Sequence, residues 1–255
     1  MDTKPRQNHT EEMFRIVKAS DERGFVIRVM GAVAFRVHCP KFGYLQELLE
    51  RKFTDIDFIT TKRLVGSNDL GKLFESLGYS ERVGLGLRYH GRRIFNDEIN
   101  KRCVDVFSRE WTMCHTINFR LDVDYPTVPL AELLLHKLQI VQLNYKDVID
   151  LTMLLREHNI GDNDQETINI EYIAELLAKD WGFWYTAITN LRKMESILSE
   201  GSLSWKNDEE DKADVLTKIA KSLDLTDRAP KSFRWKMRAR VGTRKTWYRQ
   251  VSGYK

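Results

Sequence analysis

Long apolar runs are missing from this chain of 255 residues, and cysteine is scarce. No stretch approaches the roughly 20 consecutive apolar residues that span a bilayer, so no membrane partner or transmembrane helix is expected. The polar opening MDTKPRQNHTEEMF holds no apolar segment of the kind a signal peptide needs. The three cysteines, Cys39, Cys103 and Cys114, form no Cys-x-x-Cys pair and leave one unpaired in any disulfide scheme. A reduced, cytoplasmic setting is therefore expected. The six histidines show no His-Glu-x-x-His or similar ligand spacing, which removes support for zinc. Gly84-Leu-Gly86 lacks the third glycine of a dinucleotide fingerprint and reads as a hairpin turn. Gly66-Ser-Asn-Asp-Leu-Gly71-Lys72 nearly spells a phosphate-binding loop. The next residue, Leu73, has no hydroxyl for magnesium and sits where a helix needs apolar side chains.

What is present is an ordinary globular balance, 31% charged and 42% hydrophobic, with enough length for one large domain or two modest ones. The net charge of +4 hides an asymmetry. From Arg228 to Lys255 there are ten Lys or Arg and no acidic residue, which leaves 31 basic against 37 acidic residues, a net of −6, in the rest. Such a tail favours a polyanion electrostatically.

Thr10-Glu11-Glu12 opens a helix that runs to Gly24. FVIRVMG reads as a buried strand ending in glycine, and AVAF as the start of a short helix. YLQELLERK puts Leu45, Leu48 and Leu49 on one helical side, and Leu70, Leu73, Phe74 and Leu77 repeat that spacing up to Gly78. From Tyr79 to about Asp124 the pattern changes to short strands: YSERV, LRYHGRRIF, RCVDVFS and CHTINFRL. Pro126 and Pro129 mark a boundary. LAELLLHKLQIVQL and YKDVIDLTMLLREHN then form a helical pair joined near Asn144, with more helix to about Leu198. GSLSWKNDEEDK reads as a polar linker, and a short helix from Ala213 to Leu223 leads to the basic tail. The expectation is an α+β chain: a mixed sheet with flanking helices over 1–126, then a mostly helical domain over 127–255 carrying the tail at 228–255.

KFTDIDFIT is a strand interrupted by two carboxylates. Alternate strand residues share a face, so Asp55 and Asp57 point one way while Ile56 and Phe58 point into the core. Their Cα atoms would lie about 6.6 Å apart at about 3.3 Å per residue, close enough for the side chains to converge on one cation. A strand end exposed to water is the plain alternative. Asp122-Val-Asp124 and Asp162-Asn-Asp164 repeat the spacing in turn-like contexts and read as solvated. RCVDVFS supplies a third carboxylate, with Val104 and Val106 on one face and Asp105 on the other. Three oxygen donors with little nitrogen or sulfur suit Mg²⁺ or Mn²⁺.

Gly31 at a strand end before a helix, then Asp55-Ile-Asp57, then Asp105 resembles the pattern of the DNA polymerase β-like nucleotidyltransferases. LAELLLHKLQIVQLNYKDVIDLTMLL is similar to the lysine, then Lys/Arg-Asp-x-x-Asp-Leu segment of AbiEii-type toxins and related stand-alone members. The resemblance covers about residues 25–155. It implies a small mixed sheet backed by helices and a helical domain closing over a nucleotide. The implied reaction moves a nucleoside monophosphate from an NTP to a hydroxyl of RNA, tRNA, protein or a small molecule. A toxin-type role with a cognate antitoxin belongs to the same implication. By carry-over Gly31 and Ala32 would admit the triphosphate, and Asp55, Asp57 and Asp105 would hold the metal ions, Asp105 also helping to deprotonate the acceptor. Lys137 would contact the triphosphate, and Asp147 would orient that lysine or the base. Ala32 stands where many members have Ser or Gly, and the Gly31–Asp55 interval is long. These departures favour an alternative, a catalytically silent protein of the same fold that binds RNA or a partner; an antibiotic-modifying nucleotidyltransferase is a further one.

Two segments carry a second reading each. Lys137 interrupts the edge of a stripe formed by Leu134, Leu138 and Val141, and a lysine facing Asp147 and Asp150 is equally a structural bridge. In the tail, Phe233, Trp235, Trp247 and Tyr248 alternate with Arg234, Arg238, Arg240, Arg244 and Lys245. That mixture suits nucleic-acid phosphates and bases, or a terminal helix packing its aromatics inward.

Overall fold

The computed structural model describes residues 4–50, 53–82, 91–201 and 208–251. The expected Gly84-Leu-Gly86 turn lies outside them. The chain packs as two units. The first holds Met1–Val37, Lys52–Trp111 and Ile117–Pro129, and the second holds His38–Arg51, Thr112–Thr116 and Leu130–Lys255.

In chain order the elements begin with α1 (His9–Asp21), β1 (Ile27–Met30), α2 (Gly31–His38), α3 (Tyr44–Leu48) and β2 (Asp55–Thr60). Next come α4 (Lys62–Gly66), α5 (Asn68–Ser76), β3 (Ser80–Glu81), β4 (Arg92–Asp97), β5 (Arg102–Ser108), β6 (Glu110–Thr112) and β7 (Thr116–Asn118). The helical part follows with α6 (Leu130–Leu138), α7 (Tyr145–Glu157), β8 (Asn159–Gly161), β9 (Thr167–Asn169), α8 (Ile170–Leu177), α9 (Trp181–Ser199), α10 (Asp208–Arg228) and α11 (Phe233–Val241).

The first unit is built on a mixed five-stranded sheet in the order β1-β2-β5-β4-β3. Among the described strands of this sheet β2 and β5 run parallel, and the other neighbouring strands pair antiparallel. One sheet face carries Val29, Ile56, Phe58, Val104, Val106 and Phe95, all fully buried. Helices α1 and α5 contribute to its cover. Helix α1 is capped by Asn8, whose side chain accepts from the Thr10 and Glu11 amides, and it buries Met13, Ile16 and Val17. Helix α5 is capped by Ser67 and buries Leu70, Leu73 and Phe74, with Phe74 stacked on Phe95 at 4.0 Å. Gly71, the centre of the apparent phosphate loop, lies inside α5. A Cβ there would come within 2.8 Å of the buried Arg93 guanidinium, so packing accounts for that glycine.

In the second unit every residue of α6 is buried, and α7 starts at a reciprocal capping box between Asn144 and Asp147. Strands β8 and β9 form a small parallel ribbon between α7 and α8. The expected helix over 44–52 ends at Leu48, where Leu45 is buried but Leu48 is exposed, and Glu50 takes a positive φ of 55°. Helix α10 instead starts earlier than the expected Ala213. Its acidic first turns are not linker, because Asp211 and Asp214 pair with Arg156 at 2.6 and 3.4 Å. Among the described residues no helix is long and apolar enough to cross a membrane.

Candidate metal centre

The two central strands register so that Asp55 faces Cys103, Ile56 faces Val104 and Asp57 faces Asp105. Partners in a parallel ladder share a face, so the packing of Ile56, Phe58, Val104 and Val106 on one side sends all three aspartates to the other. Each contributes a carboxylate oxygen to a group lying within 4.8 Å of one another. Asp105 is buried, whereas Asp55 and Asp57 are half-buried. An all-oxygen donor set of this size fits Mg²⁺ or Mn²⁺, and the shortage of nitrogen or sulfur disfavours softer metals.

Gly31 sits against this cluster. Met30 pairs with Asp57 across the antiparallel β1–β2 ladder, which brings the next residue beside the carboxylate. Gly31 has φ +69°, and a Cβ on it would penetrate the Asp57 side chain. It also opens α2, whose first turn carries no acidic residue, so the Asp57 carboxylate beside Gly31 lies at the positive pole of that helix. Ala32 is buried in the same turn.

The structure adds a residue that the sequence reading missed. Arg92 donates Nε to Asp105 Oδ1 at 3.2 Å and an amino group to Oδ2 at 2.8 Å, while its guanidinium lies 5.3 Å over the Phe107 ring. In β4 it is one diagonal step from Asp105, since Ile94 is the direct partner. Burial raises the Asp105 pKa above the ordinary carboxylate value, the Arg92 hydrogen bonds and charge oppose that rise, and the Asp55 charge adds to it. Burial alone would lower the Arg92 pKa, but its hydrogen bond to Asp105 and the charges of Asp105, Asp57 and Asp55 carry it upward. The Arg82 charge also acts on Asp105, in the direction opposite to burial. The alternation in RRIF was the available signal: Arg92 and Ile94 take one face, Arg93 and Phe95 the other.

Lys137 and Asp147 belong to the second unit. The Lys137 ammonium, 5% exposed, lies 2.8 Å from Asp147 and 3.1 Å from Asp150, and Gln46 donates to the other oxygen of Asp150 at 3.0 Å. As placed, it joins α6 to α7 inside the unit. Gln46, far away in sequence, carries no signal that could have assigned it to this cluster.

The tail aromatics divide. Trp235 packs edge-on against Trp184 at 5.1 Å; Trp247 donates from Nε1 to Thr186 Oγ1 at 3.1 Å, and its carbonyl presses against Gly182. Arg238 lies 4.6 Å over Trp181 and donates to the carbonyls of Gly242 and Lys245 at 2.7 Å, which makes it part of the packing. Phe233 is 79% exposed, and Arg234, Arg240, Arg244 and Lys245 are exposed as well.

No family model, curated protein or solved structure matches this chain.

Proposed function

We propose that this chain is a metal-dependent nucleotidyltransferase with a polymerase β-like sheet, moving a nucleoside monophosphate from an NTP to a hydroxyl acceptor. The observation that carries the reading is the convergence of Asp55, Asp57 and Asp105 from two parallel strands, with Gly31 pressed against Asp57. Asp55 and Asp57 would hold divalent cations from the open side of the cluster, and Asp105 from the buried side. Bound there, such ions supply Lewis-acid charge for the attacking and leaving oxygens. Asp105, whose carboxyl is raised by burial, is the group suited to receive the acceptor's proton. Gly31, having no side chain, would let the phosphates come close to the backbone where α2 begins. The exposed Arg234, Arg240, Arg244 and Lys245 suit an RNA acceptor, with Phe233 as a stacking surface.

The test is incubation with Mg²⁺ or Mn²⁺, each labelled NTP, and RNA, protein or small hydroxyl compounds in turn. Label transfer that vanishes in Asp57→Asn supports the reading; transfer unchanged in that variant refutes it. A second reading, a catalytically silent RNA binder, is favoured by the Lys137 ammonium lying buried between two carboxylates. RNA affinity that falls steeply with salt, without NTP affinity, would favour it.

A further inference from the structure

Arg92 has a place in the site that neither metal binding nor phosphate binding explains by itself. Its two bonds occupy both oxygens of Asp105, the deepest of the three candidate metal ligands. A bidentate guanidinium is a strong partner for a carboxylate, and an ion approaching the same oxygens competes with it. The side chain is 41% exposed, so it has room to leave. The Phe107 ring lies under the guanidinium, a second partner that does not depend on the carboxylate.

We propose that Arg92 is a resident counter-cation that a divalent metal displaces from Asp105, and that the displaced guanidinium then pairs with a phosphate oxygen of the NTP. The inference rests on the reading of the aspartates as a metal site. It makes metal loading and nucleotide binding cooperative: the metal alone competes with Arg92, while the nucleotide gives the displaced guanidinium a new partner. By linkage each ligand then tightens the other by the same factor. Arg92 is a positioning and specificity residue here, acting on Asp105 first and on substrate second.

The test uses the full-length protein and Arg92→Gln. Mn²⁺ binding without nucleotide is followed by electron paramagnetic resonance, and mant-ATP binding in saturating Mn²⁺ by fluorescence polarisation. The expected result is opposite shifts: Mn²⁺ alone binds the variant about tenfold tighter, and mant-ATP binds it about tenfold more weakly. Arg92→Lys, which keeps the charge but not the fork, should fall between the two proteins on both scales. A structural role alone would weaken both affinities together, and that outcome, or unchanged Mn²⁺ affinity with wild-type binding intact, overturns the inference. Absence of Mn²⁺ binding in the wild-type protein overturns the metal reading itself, and this inference with it.

Discussion

Gly31 and Asp57 share one volume: the carboxylate of Asp57 lies where any side chain at position 31 would begin. The left-handed backbone at Gly31 adds a second demand for glycine. Gly31→Ala should therefore lose at least about 1 kcal/mol of stability from the backbone alone. It should also push Asp57 out of the cluster and abolish Mn²⁺ binding. Urea denaturation and metal titration of the same preparation check the two effects separately.

Lys137 sits between two buried carboxylates, and removing it takes the neighbouring cation from both. Lys137→Met should cost about 3–5 kcal/mol, the usual effect of deleting one partner of a buried ion pair. Adding Asp147→Asn and Asp150→Asn should recover part of that loss, because no uncompensated charge remains. Chemical denaturation of the single and triple variants reads this directly; equal stability of Lys137→Met and wild type would show that the bridge contributes nothing.

Acid should weaken the second unit through His115. Its ring stacks on Phe183 at 4.9 Å and meets Thr186 Oγ1 at 2.9 Å. Burial depresses its pKa from 6.5 to about 4, with Asp180 opposing. The unfolded chain then takes up a proton below pH 6.5 that the folded chain refuses until about pH 4. Stability is thus fully present above that window and falls with acidification across it, by up to about 1.4 kcal/mol per pH unit. His115→Gln should flatten this slope in denaturation curves measured from pH 7 to pH 4.5.

The tail is anchored where the Trp247 carbonyl crosses α9 at Gly182. Gly182→Ala should detach it at a cost of about 1–3 kcal/mol, the usual range for overpacking. Trypsin, which cuts at Lys and Arg, should then cleave the segment beyond Arg228 faster than in the wild-type chain. Cleavage at the wild-type rate would mean that this crossing does not hold the tail.

The facing of the aspartates was legible because strand alternation is a local property: Ile56, Phe58, Val104 and Val106 had to be inside, so their neighbours had to be outside. The register that sets Asp57 beside Asp105 was not, since pairing between distant strands depends on the whole sheet. Arg92 was missed for the same reason, as its role exists only once β4 lies on β5. Lys137 read as the edge of an amphipathic stripe because LAELLLHKL carries polar residues, yet α6 is buried all round and the Lys137 ammonium is met from α7. The acidic start of α10 looked like linker because its partner, Arg156, stands far upstream. In the tail, aromatics spaced among arginines suit stacking on bases as well as on α9; only the contacts of Trp235 and Trp247 separate the two.

The antiparallel ladder of β4 with β5 has a consequence for the order in which the site assembles. These strands are joined by the short turn through Glu98–Lys101, stitched by Asp97, so Arg92 and Asp105 can meet in an isolated hairpin. Asp55 and Asp57 arrive on a separate piece of chain, when β2 docks along the free edge of that hairpin. Asp105 thus already has its own cation when the other two acidic groups join it, and repulsion among like charges need not delay closure of the sheet.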